Sequence, residues 1–470
     1  MLRPRVVALV LNGLVCLAGT ADAQRTDPAP SPYQVFTLEQ AIQYAVDHYP
    51  TVRAALEQVN VSTAGVSVAR AAYLPRLDSL WQSNRATTNN IFGQVLPQSV
   101  IPALTGPVLA ATAAESVWGS AAGALLSWEP FDFGLRHASV VSAEAALTQA
   151  RAGEMLTRLD VQHAVAAAFL AVVAAQRAVF ALQADLERRN VLLRAVQTLV
   201  TNQLRPGADQ SRVDAERAAA QTRLIQAQQS VAVAQTTLTR VLGAATGSIT
   251  LAADSLMSRV PPEDITPSDV ATHPLAKARQ ATVDQARAQE EVLARTDLPR
   301  LFVQSSAFAR GSGANANGAF DGGVDGLGFQ RANWAAGIQI VFPNLFDFSS
   351  LRARKAAAAA SARASSALYD EAVLTITGEQ QSATASLQAA RAIAANTPIQ
   401  LAAARQSETQ ARARYDAGLA TIVEVADAQS LLAQAEVQDQ IARIDIWRAL
   451  LAEAVAQGDL NSFLAILRRP

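Results

Sequence analysis

Two halves of this 470-residue chain carry the same landmarks in the same order. Pro50 and Leu74-Pro75-Arg76-Leu77 recur as Pro274 and Leu298-Pro299-Arg300-Leu301, each with 24 residues from proline to leucine. Further on, Phe131-Asp132-Phe133-Gly134-Leu135-Arg136 is echoed by Phe346-Asp347-Phe348-Ser349-Ser350-Leu351-Arg352. Such a duplication means that one arrangement of elements is built twice, so a reading of one half constrains the other. The expected units are residues 24–250 and 251–470, intertwined in one subunit.

Between each proline and its Leu-Pro-Arg-Leu, apolar residues recur at helical spacing, and the prolines suit a first helical turn, where a missing N–H costs little. Upstream, Thr37 and Gln40 fit a capping box, with Phe36 as its hydrophobic staple. After Leu-Pro-Arg-Leu the period becomes two. Trp334, Ala336, Ile338, Ile340 and Phe342 share one face of a strand, opposed by Asn333, Ala335, Gly337 and Gln339; Ala122, Ala124, Leu126 and Trp128 form the matching stripe. Strand pairs are expected at about 77–88 with 120–129 and at about 301–310 with 333–342, each pair flanking a long loop. From Arg136 to about Gln203, and from Arg352 to about Ala417, the only helix breakers are Gly153, Gly378 and Pro398. A helix of that length runs about 100 Å. Gly207 and Gly418 then mark turns into further helices.

The fold expected is mainly α with a small β part. The strands match the roughly 9 to 11 residues that cross a bilayer. Four strands cannot close a barrel, and open edges are not tolerated in lipid, so two or more plausibly three chains must share one, giving 8 or 12 strands. The apolar stripe of Leu126, Trp128, Trp334, Ile338, Ile340 and Phe342 is then the lipid face. Trp128 and Trp334 fit an interfacial girdle or, in a soluble fold, an ordinary core. The long helices carry Arg151, Glu154, Arg158, Asp160, Arg177, Asp185 and Arg188 and belong in water, around a bore or as a plain coiled coil.

The N-terminus reads as a secretory signal over residues 1–23: Arg3 and Arg5, an apolar run from Val6 to Leu17, and Ala21-Asp22-Ala23 before Gln24. Cys16, the sole cysteine, falls inside that run, with Val15 before it where lipidation favours a small residue. Removing residues 1–23 takes away two arginines and one aspartate and leaves a net charge of −2, which offers nucleic acid no basic footprint. His48, His137, His163 and His273 are scattered, with no nucleophile motif around them, so neither catalysis, metal nor cofactor is expected.

With this order of parts, the sequence resembles the TolC family of outer-membrane efflux channels over nearly all of its length after the signal. The sharpest local match runs from Tyr415-Asp416-Ala417-Gly418-Leu419 through Ala420-Thr421-Ile422-Val423-Glu424 to Val425-Ala426-Asp427-Ala428. The resemblance implies a homotrimer with a 12-stranded barrel, a periplasmic helical tunnel closed at its tip, and a periplasmic adaptor and inner-membrane transporter as partners. It makes Glu424 and Asp427, which share a helix face, the constriction residues; a solvated helix start with its usual acidic residues is the plainer reading. It makes Tyr415 a residue that holds the gate closed. Counting from Arg136 and Arg352 makes Asp209 the first-half equivalent of Glu424, whereas aligning Gly207 with Gly418 makes it Asp214. Ala420 stands where the best-known gates carry a helix-linking arginine. The competing class is a periplasmic coiled-coil adaptor without membrane strands.

Overall fold

The computed structural model describes residues 33–468 except 90–94, 103–113, 244–247, 253–255, 257–260, 262–264, 315–318, 320–322 and 344–346. The expected signal segment, with Cys16, lies outside the described residues. In chain order, β1 (Tyr33–Phe36) leads into α1 (Leu38–His48), α2 (Pro50–Ala71), β2 (Arg76–Thr87), β3 (Ser116–Phe131), α3 (Leu135–Thr201) and α4 (Gly207–Leu242). Then follow β4 (Ser248–Leu251), α5 (Pro274–Ala294), β5 (Arg300–Ser312), β6 (Arg331–Val341), α6 (Phe348–Asp416), α7 (Ile422–Ala456) and α8 (Leu460–Arg468). The order helix, strand, strand, long helix, helix thus occurs twice.

Helix starts follow the local chemistry of the sequence. The Gln40 N–H donates to Thr37 Oγ1 at 3.2 Å and Gln40 Oε1 accepts the Thr37 N–H at 3.0 Å, while Phe36 packs edge-on against Tyr44. Pro50 and Pro274 both occupy the first helical position. His273 precedes Pro274 as N-cap: its Nδ1 accepts the Leu275 N–H at 3.1 Å, which leaves Nε2 to donate to the Val455 carbonyl at 3.1 Å. The matching residue in the first half is Tyr49, and His48 belongs to the end of α1. His273 therefore has a structural task that needs no chemistry.

α3 and α6 contain 67 and 69 residues, and Gly153, Gly378 and Pro398 are all carried inside them. α3 pairs with α4, α6 with α7, and α3 with α7, so two helical hairpins lie side by side. α2 and α5 flank the first part of α3, through Arg70–Glu144 and through the Gln149 amide donating to Thr282. The main core lies part-way along the rods. There Val165, Phe169, Leu170, Val172 and Val173 of α3 are at most 1% exposed among residues of α1, α4, α7 and α8. Among the described residues α3 is the one helix long and apolar enough to cross a bilayer, but half of that stretch is buried inside the protein.

The four strands form one antiparallel sheet in the order β2-β3-β5-β6, beside a small parallel β1–β4 pair. The register sorts its residues into two faces. Leu77, Leu126 and Ser305 are opposite one another, as are Trp128, Val303 and Ile338, and Leu301 with Ile340. Trp334 lies on the same face, and Phe342 continues its alternation just past β6. This face is apolar and open to the surroundings: Trp334 is 80% exposed and Ile338 72%, so neither is a core residue. A bulge between Trp128 and Phe131 turns Phe131 onto it as well. The other face carries Arg76, Asp78, Gln82, Asn84, Gln304, Ser306, Asn333 and Gln339.

Candidate functional site

The two hairpins end at one tip, and the duplication fixes its geometry. α3 ends with the Gln203 N–H donating to the Val200 carbonyl and the Leu204 N–H to that of Leu199; α6 ends with Gly418 donating to Tyr415 and Leu419 to Arg414. Both ends place one residue in the left-handed region, Gln203 at φ 57 and Gly418 at φ 75. This closure satisfies carbonyls that have no partner within the helix. The two turns repeat the same hydrogen bonds at an offset of 215 residues, read from Gln203 and Gly418.

That offset decides the register. Asp209 is the equivalent of Glu424, and Asp214 is not. It also corrects the assignment of Gly207 as a turn residue. Pro206, extended at ψ 145, is the N-cap, and Gly207 is already the first residue of α4; the left-handed position that a glycine would favour is taken by Gln203. Gly418 does occupy that position in the second turn.

Tyr415 is 2% exposed and packs with Leu192, Val196, Val213, Ile422 and Val425 in a small core at the tip. Its hydroxyl donates to Asp209 Oδ2 at 3.4 Å, which joins the end of α6 to the start of α4. Burial raises the phenol's pKa and the Asp209 charge adds to that, so it remains a donor. Arg205 clasps the same ring. Its guanidinium lies 4.5 Å from the ring centre, and Nη2 donates to the Tyr415 carbonyl at 2.8 Å. Sequence reasoning missed Arg205, although the 215-residue offset would have paired it with Ala420. An arginine thus stands at the first-half equivalent of Ala420.

Glu424 and Asp427 lie apart from this clasp, exposed on one face at the start of α7. Glu424 also serves its own helix: Oε1 accepts the Thr421 N–H at 3.2 Å while Thr421 Oγ1 accepts the Glu424 N–H at 3.5 Å. Deeper in the rods, Asp185 (0% exposed) holds Arg189 (1%) at 3.1 Å. Arg189 reaches Glu216 of α4 at 3.2 Å and donates to Ser430 Oγ of α7 at 3.1 Å, and Arg188 pairs with Glu436 of α7 at 2.6 Å. Buried charge is tolerated only when paired in this way. The cluster ties both hairpins together above the tip.

This architecture has known counterparts. The chain is 21% identical to VceC of Vibrio cholerae, an outer membrane protein, with a TM-score of 0.70 over 90% of this chain and 96% of that one. It is 15% identical to the CmeC outer membrane channel of Campylobacter jejuni, with a TM-score of 0.71 over 90% and 85%. These likenesses show the fold. Protein CyaE of Bordetella pertussis is 26% identical over 451 residues, 92% of this chain and 87% of that protein. The family model for outer membrane efflux proteins matches residues 41–244 and 271–452, the greater part of the chain and both of its halves, and the chain therefore belongs to the outer membrane efflux protein family.

Proposed function

We propose that three copies of this chain, exported by a cleaved signal at residues 1–23, close one 12-stranded barrel and surround one bore. A periplasmic adaptor and an inner-membrane transporter deliver cargo to it. Family membership makes the chain an outer-membrane channel with its helices in the periplasm. The observation that carries the trimer is the sheet: four strands with β2 and β6 as free edges and a broad apolar face turned outward. β2 and β6 run in opposite directions, so β6 of one chain can pair with β2 of the next in the same antiparallel pattern. Closure removes the edges, and lipid covers Leu126, Trp128, Trp334, Ile338, Ile340 and Phe342.

At the other end, Tyr415, Asp209 and Arg205 hold the two hairpins of one subunit together. Glu424 and Asp427 from three copies form a ring of carboxylates that attracts cations and is restrained from spreading by those clasps. The channel is a passive duct, and what enters it is selected by the pump and adaptor. Fractionation tests this reading: the protein is expected with outer membranes, as a trimer on gels that dissociates on heating. Recovery as a soluble periplasmic monomer would refute it and favour a coiled-coil adaptor.

A further inference from the structure

The face of the sheet assigned to the bore carries a compact apolar cluster at one place, and there a loop covers it. Val100 (8% exposed) and Ile101 (4%) pack with Ala121 and Phe308, flanked by Leu80, Leu125 and Val95. Leu80, Gly123 and Phe308 lie in one lateral row, with Gly123 between its neighbours. A Cβ on Gly123 would stand 2.7 Å from Phe308 Cβ and 3.2 Å from Ile101 Cγ1, so the glycine lets both the neighbouring strand and the loop approach closely. Gln98 fixes the loop's shape: its Oε1 accepts the Val100 and Ile101 N–H groups at 2.6 and 2.7 Å, and its Nε2 donates to the Ile101 carbonyl at 2.8 Å. The Leu96 N–H donates to Gln82 Oε1 on the wall at 3.1 Å.

The duplication shows that these apolar positions serve the loop and not the barrel. Arg76 opposite Ser127 begins one hairpin as Arg300 opposite Val341 begins the other, so Leu80 corresponds to Gln304 and Leu125 to Gln339. In the second hairpin, where no apolar loop is seated among the described residues, the same wall positions are glutamines. Leu96, in the same loop, is 56% exposed.

Resting on the trimeric-barrel reading, we propose that residues 95–101 of three chains form a constriction inside the barrel, separate from the periplasmic tip, that limits the size of solute passing through. A 12-stranded barrel with strands about 4.8 Å apart, tilted by about 40°, has a backbone radius of about 12 Å. A packed layer takes up to about 10 Å of that radius, so three such loops leave only a narrow passage, bordered by exposed residues such as Leu96.

The test enters from the outside, so the periplasmic tip does not mask it. Cys16 is the sole native cysteine and lies in the expected signal, which makes Gln304→Cys the only thiol of the processed chain. Gln304 is four residues along β5 from Phe308, on the periplasmic side of the loop and on the same face. In whole cells a small maleimide is expected to label it and a polyethylene-glycol maleimide is not. Adding Val100→Asp and Ile101→Asp, which cannot remain buried against the wall, is expected to raise labelling by the large reagent from background to that of the small one. Equal labelling by both reagents with the native loop, in a trimer that stays intact on unheated gels, would overturn the constriction alone. Loss of the trimer with the native loop, or its absence from outer membranes, would instead overturn the barrel reading on which it rests.

Discussion

Replacing Arg205 by alanine should open the tip more than any change to the Tyr415 hydroxyl. The partly exposed guanidinium over the buried ring is worth about 0.5–1 kcal/mol, and its charge-assisted bond to the Tyr415 carbonyl about 1–2 kcal/mol after allowing for the exposure of Arg205. Their sum is about 2 kcal/mol per subunit, or about 30-fold in the closed-to-open ratio. The Tyr415–Asp209 contact, at 3.4 Å, is at the long limit for a hydroxyl donor, so Tyr415→Phe should cost about 0.5 kcal/mol and shift the same ratio about twofold. On the proposed gate reading, opening separates the α6–α7 tip from the α3–α4 tip, so both contacts would be broken and both would act on the ratio. Arg205→Lys keeps the charge but loses the flat stack and the fixed fork of donors, and should fall between the two. Open probability of purified trimers in planar bilayers ranks the three variants. An Arg205→Ala channel that opens no more often than wild type, or a Tyr415→Phe channel that opens as often as Arg205→Ala, would refute the assignment of the clasp to Arg205.

Other consequences can be measured on the same trimers. Asp185→Ala leaves Arg189 buried with only Glu216 and Ser430 as partners and should cost about 3–5 kcal/mol, visible as a lower melting temperature. Gly458→Ala should also destabilise strongly, by about 2–4 kcal/mol, because φ there is +75 and a Cβ would stand 2.6 Å from Pro274 Cδ; a melting curve equal to wild type would contradict the packing described. At the corner between β3 and α3, burial alone would raise the Asp132 pKa. The backbone N–H and guanidinium of Arg136 and the N–H of Gly134 outweigh it and hold the carboxyl below its ordinary range. Its stabilisation is therefore present above the ordinary aspartate pKa and is lost as the pH falls through the depressed value, so Asp132→Asn should flatten the acid side of a stability–pH curve. Glu424→Ala with Asp427→Ala should weaken block of single-channel current by divalent cations; unchanged block would remove both residues from the constriction.

How much of this was legible in the sequence depends on whether local chemistry or tertiary placement fixed each feature. The strands were readable because Trp334, Ile338 and Ile340 alternate with Asn333, Gly337 and Gln339, and one buried or lipid-covered face imposes a period of two whatever lies beyond. The prolines at helix starts and the capping box at Thr37 are equally local. The tip was harder. Gly207 looked like the partner of Gly418 because glycine usually marks a left-handed turn, but Gln203 adopts that conformation and no propensity announces it. Bonds between Arg205 and Tyr415 or between Arg189 and Ser430 span more than 200 residues of sequence and leave no local pattern.

One signal bridges that gap: the difference between the two repeats. Where the halves agree, as in the landmark prolines and the hydrogen bonds of both turns, the shared fold explains the residue. Where they differ, something particular to one half must. Arg205 against Ala420 marks a clasp needed once, since the ring it holds is Tyr415 and the equivalent position in the first half is Val200. Leu80 and Leu125 against Gln304 and Gln339 mark a wall that meets an apolar loop in one hairpin and carries glutamines in the other. His273 against Tyr49 marks a helix start stitched to Val455 in the second half alone. A duplicated chain thus carries its own internal control, and comparing equivalent positions at the offset set by hydrogen-bonded turns separates what the scaffold requires from what the channel does.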